Sequence, residues 1–282
     1  MGKYILVGVD DTPESHIALR WAVDAAEARD TAVRVVRAYF NELSRWPALG
    51  VEGYVPPPML VDRFQAELDS AVQVARDRLG YEGASGWIAN NDAATAILTE
   101  AAEADMVVLG TRSRNKMSAA VLGSVATSVA AKSPCPVVVV RGEQRTGRVV
   151  VGTDGSADSD EAVAFAFEHA SRTGETLVAA YCWQPQDQHV ESADSTHQLL
   201  KNWLAESLEP YQAKYPAVRA KAVVFEGRPS TELIQLSKDA SLVVVGSRGR
   251  GGVAGLLLGS VSQSLLHHAD SPVAVVRRHE ER

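Results

Sequence analysis

Cysteine is scarce in this chain: only Cys135 and Cys182 occur in 282 residues. Both stand in apolar, strand-like stretches without a paired motif, which excludes a disulfide framework and reads as buried reduced thiols in a cytoplasmic protein. No apolar run approaches the ~18 residues that a membrane-spanning helix needs. The opening Met1-Gly2-Lys3-Tyr4-Ile5-Leu6-Val7 enters a strand-like run with no cleavage site of small residues, so no signal peptide is expected. Basic charge is not in excess either. The formal net charge is -7 and both halves are acidic, which argues against a general nucleic-acid binder. Histidine offers no metal-ligand pair at helical spacing, since His267 and His268 are adjacent.

What is present is a repeat. Tyr4-Ile5-Leu6-Val7-Gly8-Val9-Asp10 matches Arg148-Val149-Val150-Val151-Gly152-Thr153-Asp154. Gly110-Thr111-Arg112-Ser113, followed by Gly123-Ser124, matches Gly246-Ser247-Arg248-Gly249, followed by Gly259-Ser260. Ser133-Pro134-Cys135-Pro136-Val137 has its later copy at Ser271-Pro272-Val273. Two domains are therefore expected, 1–143 and 146–282, joined by a short polar linker. The first copy holds about eight more residues, assigned to a loop between Phe40 and Pro58 rich in Pro and Gly.

Within each repeat, short β-branched runs alternate with longer segments of helical period. Strands are predicted near 4–10, 32–39, 84–90, 105–110 and 136–141, and near 148–154, 176–182, 218–225, 241–246 and 272–277. Helices are predicted near 14–29, 59–79, 93–103 and 118–132, and near 158–172, 193–214, 230–239 and 256–269. Runs such as Leu242-Val243-Val244-Val245 are apolar at every position, the mark of strands covered on both faces in a parallel sheet. The fold class is thus α/β, with two tandem doubly wound five-stranded parallel-sheet domains. Ligands of such folds bind beyond the carboxyl ends of the strands, where the strand order reverses. Asp10 and Asp154 end first strands, and Gly110 and Gly246 end fourth strands, so each aspartate should face its glycine loop.

The segment Gly246-Ser247-Arg248-Gly249-Arg250-Gly251-Gly252 reads as an anion cradle, with glycines supplying positive φ and exposed N–H groups. Arg248 and Arg250 add positive charge, and no acidic residue occurs between Val243 and Ala269. Ser260 can cap the helix that follows or donate to a phosphate at its N-terminus. Asp154-Gly155-Ser156 reads as a turn with Ser156 or Asp158 as the helix cap, or as a strand end reaching a base or ribose. The Gly-Lys-Ser/Thr of a P-loop is absent, as is a Ser-Gly-Gly-x-Asp-Ser pyrophosphatase loop. Gly249 to Ala254 fits a dinucleotide pattern formally, but it follows a fourth strand and lacks the acidic partner.

The strand-ending aspartates, the Gly-x2-Gly-x9-Gly-Ser loop and the closing Ser-Pro-Val strand together resemble the universal stress protein family, in its tandem ATP-binding form. The resemblance implies an adenine-nucleotide α-hydrolase-like sheet in strand order 3-2-1-4-5, and ATP as cofactor, with Mg2+ as a candidate companion. It implies a second site of Gly152, Thr153, Asp154, Cys182, Gly246, Ser247, Arg248, Gly249, Arg250, Gly251, Gly252, Gly259, Ser260, Val261 and Ser262. It implies a first site of Gly8, Val9, Asp10, Ala38, Gly110, Thr111, Arg112, Ser113, Gly123, Ser124 and Val125. Ser113 replaces the second glycine of the motif. If that position requires positive φ, the replacement costs roughly 1–2 kcal/mol and makes the first site the weaker. A homodimer, or a dimer-like pairing of the two repeats through their closing strands, is also implied.

Acidic residues are absent from 106–142 and from 244–269, so neither glycine loop carries its own general base. A nucleotide-binding regulatory module is the expected function, with no catalytic residue assigned. The alternative is a slow nucleotide hydrolase or a nucleotidyl- or phosphoryl-transfer enzyme, with Asp10 or Asp154 as the base.

Overall fold

The structure is a computed structural model that describes residues 4–39, 58–111, 122–142, 145–184, 193–251 and 258–278. It divides into two compact units, Met1–Cys135 and Pro136–Arg282. The long loop expected between Phe40 and Pro58 lies almost wholly outside the described residues.

The first unit contains β1 (Tyr4–Gly8), α1 (Pro13–Arg29), β2 (Ala32–Ala38), α2 (Pro58–Leu79), β3 (Ala84–Ala89), α3 (Ala93–Glu100), β4 (Met106–Gly110) and α4 (Ser124–Lys132). Its strands are all parallel, in the order β3-β2-β1-β4. The all-apolar runs become the central strands: Ile5, Leu6 and Val7 of β1, and Val107 and Val108 of β4, are fully buried. Helix α1 starts where Thr12 accepts the Ser15 N–H, with Pro13 at the first turn, and ends at the left-handed Asp30.

The second unit contains β5 (Val137–Val140), β6 (Arg148–Gly152), α5 (Ala157–Thr173), β7 (Thr176–Trp183), α6 (Ala193–Lys214), β8 (Ala220–Glu226), α7 (Pro229–Ser237), β9 (Leu242–Gly246), α8 (Ser260–His268) and β10 (Val273–Val276). The order is β5-β10-β9-β6-β7-β8. Strands β6 to β10 are parallel and follow the 3-2-1-4-5 order. Small and apolar residues on one stripe of α5, among them Ala162, Ala166, Phe167 and Ala170, are buried. Ser156 caps α5 by accepting the Ser159 N–H, and Gly174 ends it in the left-handed region at φ 71°.

Strand β5 closes the first repeat in sequence but belongs to the second compact unit. Within that unit β5 runs antiparallel to β10, with Val138 opposite Ala274. The adjoining Arg141 guanidinium donates to the carbonyls of Leu266 and His267 at 2.7 Å each, covering the C-terminus of α8.

Candidate functional site

The second unit parts its sheet connections between β6 and β9, since the chain proceeds from β6 to β7 on one side and reaches β9 and β10 on the other. Three features build the site there. Strand β6 ends at Gly152, where a Cβ would meet Leu233 of α7 at 2.7 Å, so the helix packs directly on the strand end. Thr153 continues the strand by donating its N–H to Ala180 of β7 at 3.0 Å. Strand β9 ends at Gly246, where a Cβ would lie 2.9–3.0 Å from the Asp158 carbonyl group, so the loop after β9 crosses close to the first turn of α5.

The loop is then tied down from three sides. The Ser247 N–H donates to Val276 at 2.7 Å, and its hydroxyl donates to Asp158 Oδ2 at 2.7 Å. The N–H groups of Arg248 and Arg250 donate to Asp158 Oδ2 at 3.2 Å and Asp154 Oδ2 at 2.8 Å. The Ser247 carbonyl accepts from the Gly259 N–H at 2.7 Å and from the Ser262 hydroxyl at 3.2 Å, which brings the start of α8 beside the loop. Gly259 is the N-cap of α8 and has no side chain to satisfy the helix's first N–H groups. That end of the helix is an anion-favouring surface.

A cavity of about 300 Å3 opens between these parts. Its lining brings together Gly152, Thr153, Asp154, Cys182, Gly246, Arg248 to Gly251, and Gly259 to Ser262, all named from sequence. Ser247 is fully buried behind the loop and fastens it. Gly252 lies outside the described residues. The sequence reading passed over Ser159, Ala180, Pro229, Leu233, Val245 and Leu258, which also line the cavity. Pro229 and Leu233 fall one helical turn apart after β8, a spacing that could have marked them as one wall.

Two expectations about the loop are corrected. Glycine was expected to supply positive φ, but among the described glycines only 80, 142, 147, 155, 174 and 227 have it. Gly249 is required by close approach instead: a Cβ there would overlap Asp154 Oδ2. The amides of Arg248 and Arg250 were expected to point at a bound anion, yet they point at carboxylates from the start of α5. The positive φ belongs to Gly155, at 72°, where a Cβ would meet the Arg250 guanidinium at 2.6 Å and Trp203 at 3.0 Å.

Burial alone would raise the Asp154 carboxyl, but hydrogen bonds from the Ser156 hydroxyl and amide, the Arg250 amide and the Ser159 hydroxyl outweigh it and hold its pKa below the ordinary value. Its oxygens are already engaged, Oδ1 by the Ser156 N–H at 3.0 Å and Oδ2 by Arg250. Cys182 sits on the opposite wall. Burial, assisted by Glu232, pushes its thiol up to about 12.

The first unit repeats the frame. Val9 donates its N–H to Val36 at 3.0 Å, as Thr153 does to Ala180. A Cβ on Gly8 would meet Leu109 at 2.8 Å, and one on Gly110 would lie 2.6–2.7 Å from the Glu14 carbonyl group. Ala38 ends β2, Thr111 follows β4, Gly123 is the uncapped start of α4, and Ser124 and Val125 form its first turn. The aspartate is held in the same way: Asp10 Oδ1 accepts the Thr12 N–H at 3.0 Å and the Thr12 hydroxyl, as Asp154 Oδ1 accepts the Ser156 N–H. Arg112 and Ser113 lie outside the described residues.

The two halves of this frame match one family model, that of the Universal stress protein family, over residues 1–141 and 146–277. The chain belongs to the universal stress protein family. Universal stress protein Rv2623 of Mycobacterium tuberculosis is 34% identical, with 97% of this chain and 96% of that protein covered. A universal stress protein of Mycolicibacterium smegmatis is 35% identical over the same shares. Among solved structures, a universal stress protein from Archaeoglobus fulgidus matches at TM-score 0.71 and 18% identity, covering 98% of each chain, which establishes the shared fold. No helix among the described residues is long and apolar enough to cross a membrane.

Proposed function

We propose that the second unit binds an adenine nucleotide, with ATP as the ligand, and that the chain is a regulatory stress-response module. The observation behind this reading is the two-ended cavity at the reversal of strand order. Ala180, Cys182, Pro229 and Leu233 offer an apolar wall for a flat base. Arg248, Arg250, Ser260 and the N-terminus of α8 offer cationic and donor groups for phosphates at the other end. Among the described residues no cluster of His, Cys, Asp and Glu could hold a metal, so Mg2+ would enter on the phosphates.

The corresponding site of the first unit is proposed as a weaker one, in functional domains spanning 1–143 and 146–282. Binding is favoured over catalysis by Asp154, the acidic residue that lines the cavity. A carboxylate with both oxygens engaged and a lowered pKa is a poor proton acceptor. Location in the cytoplasm and formation of a homodimer belong to the same proposal.

Acid extraction of freshly purified protein, with chromatographic identification of what is released, tests the reading. An adenine nucleotide, or calorimetric binding of added ATP, is expected. Absence of both would overturn it. Turnover of ATP with Mg2+ well above background, lost in Asp154→Ala while binding persists, would instead establish the enzymatic alternative.

A further inference from the structure

Asp158 sits in the first turn of α5, where an acidic residue ordinarily serves the helix dipole. Capping of that helix is done by Ser156, and the Asp158 carboxylate turns to the loop after β9. One oxygen, Oδ2, accepts both the Ser247 hydroxyl at 2.7 Å and the Arg248 N–H at 3.2 Å, with Arg248 Nε 3.9 Å away. The Asp158 side chain is only 13% exposed, so water competes weakly for these bonds. Through the Ser247 carbonyl the connection extends to Gly259 and Ser262, at the start of α8. Three elements are thereby held in one geometry: the first turn of α5, the loop and the N-terminus of α8.

Among the described residues of the first unit this arrangement is not repeated. Glu14 takes the place of Asp158, as its close approach to Gly110 shows, and it is one methylene longer. Its Oε2 is buried and has no hydrogen-bond partner among the described residues.

We propose that Asp158 is a positioning residue of the second site, setting the loop and the start of α8 at the spacing that a phosphate group needs. The proposal rests on the nucleotide reading above and adds which residue prepares the phosphate end. Asp158 does not line the cavity and touches no ligand in this scheme. Its removal should therefore weaken ligands in proportion to their phosphates and leave the base end intact.

The test uses the full chain with Asp158→Ala, Asp158→Asn, Asp158→Glu and Ser247→Ala, each titrated with ATP and with adenosine by calorimetry. Asp158→Ala is expected to lower ATP affinity about tenfold or more while adenosine affinity stays within about twofold, in line with the loss of a charged hydrogen bond. Ser247→Ala should show the same selective loss, and the double variant should be little worse than either single one. Asp158→Asn, which keeps an acceptor, should retain part of the ATP affinity, whereas Asp158→Glu should not. Amide exchange without nucleotide supplies a second readout: Arg248 and Gly259 should exchange faster in Asp158→Ala. Equal losses for ATP and adenosine, or unchanged ATP affinity, would overturn the positioning role. If the unsubstituted protein bound neither ligand, the nucleotide reading would fall, and unchanged exchange would then overturn the loop clasp separately.

Discussion

Asp154 Oδ2 accepts the main-chain N–H of Arg250 at 2.8 Å, and the carboxylate reaches it across a residue that has no side chain, Gly249. The end of β6 and the loop after β9 are thus joined by a contact that any Cβ at position 249 would push apart.

Gly249→Ser, which copies Ser113 of the first repeat, is expected to break this contact and lower ATP affinity of the second unit about tenfold, the usual scale for losing a charge-assisted hydrogen bond. Calorimetric titration beside Gly251→Ala supplies the comparison, since nothing among the described residues lies within 4 Å of a Cβ at Gly251.

Gly246→Ala should act on stability instead. Its Cβ would stand 2.9–3.0 Å from the main chain of Asp158, which cannot rotate away as a side chain could. A loss of about 1–3 kcal/mol is expected by urea denaturation, against about 0.5 kcal/mol or less for Gly251→Ala.

Asp154 contributes a pH dependence of definite sign. Its folded pKa lies below the ordinary 3.8, so its stabilisation is complete above that value and is lost as pH falls through the lower, folded one. Asp154→Asn should therefore flatten the acid side of the stability curve below about pH 4 and leave its shape near pH 7 unchanged. Denaturation midpoints collected across that range check it.

The Cys182 thiol, raised to about 12, is almost wholly protonated at neutral pH, and Cys135 is 5% exposed. Native protein should resist iodoacetamide at pH 7.5, whereas both cysteines should be alkylated in guanidinium chloride. Mass spectrometry of the two samples decides; rapid labelling of native Cys182, which is half-buried on the cavity lining, would contradict the raised pKa of its thiol.

The sheet was readable because its local signals agree. Leu242-Val243-Val244-Val245 is apolar throughout and is buried throughout, and Ser156 and Thr12 mark helix starts by ordinary capping chemistry. Gly246, Gly249 and Gly259 declared a loop by spacing, but not the reason for each glycine. Gly249 answers to Asp154, and Gly246 to the backbone of Asp158. Such contacts depend on tertiary approach: the Ser247–Asp158 bond spans 89 residues, and Asp158 by itself resembles any acidic residue in a first helical turn. Leu233 was hidden similarly, because its packing on Gly152 becomes visible only when α7 is placed over β6.

Strand β10 has β9 on one edge and β5 on the other, so its main-chain donors and acceptors are committed within the chain. A strand sealed in this way cannot serve as a template for a second copy by edge addition. Self-association of this protein would have to use a surface other than the edges of β10, and substitutions in the buried Val273–Val276 should act on the stability of the fold before they act on assembly.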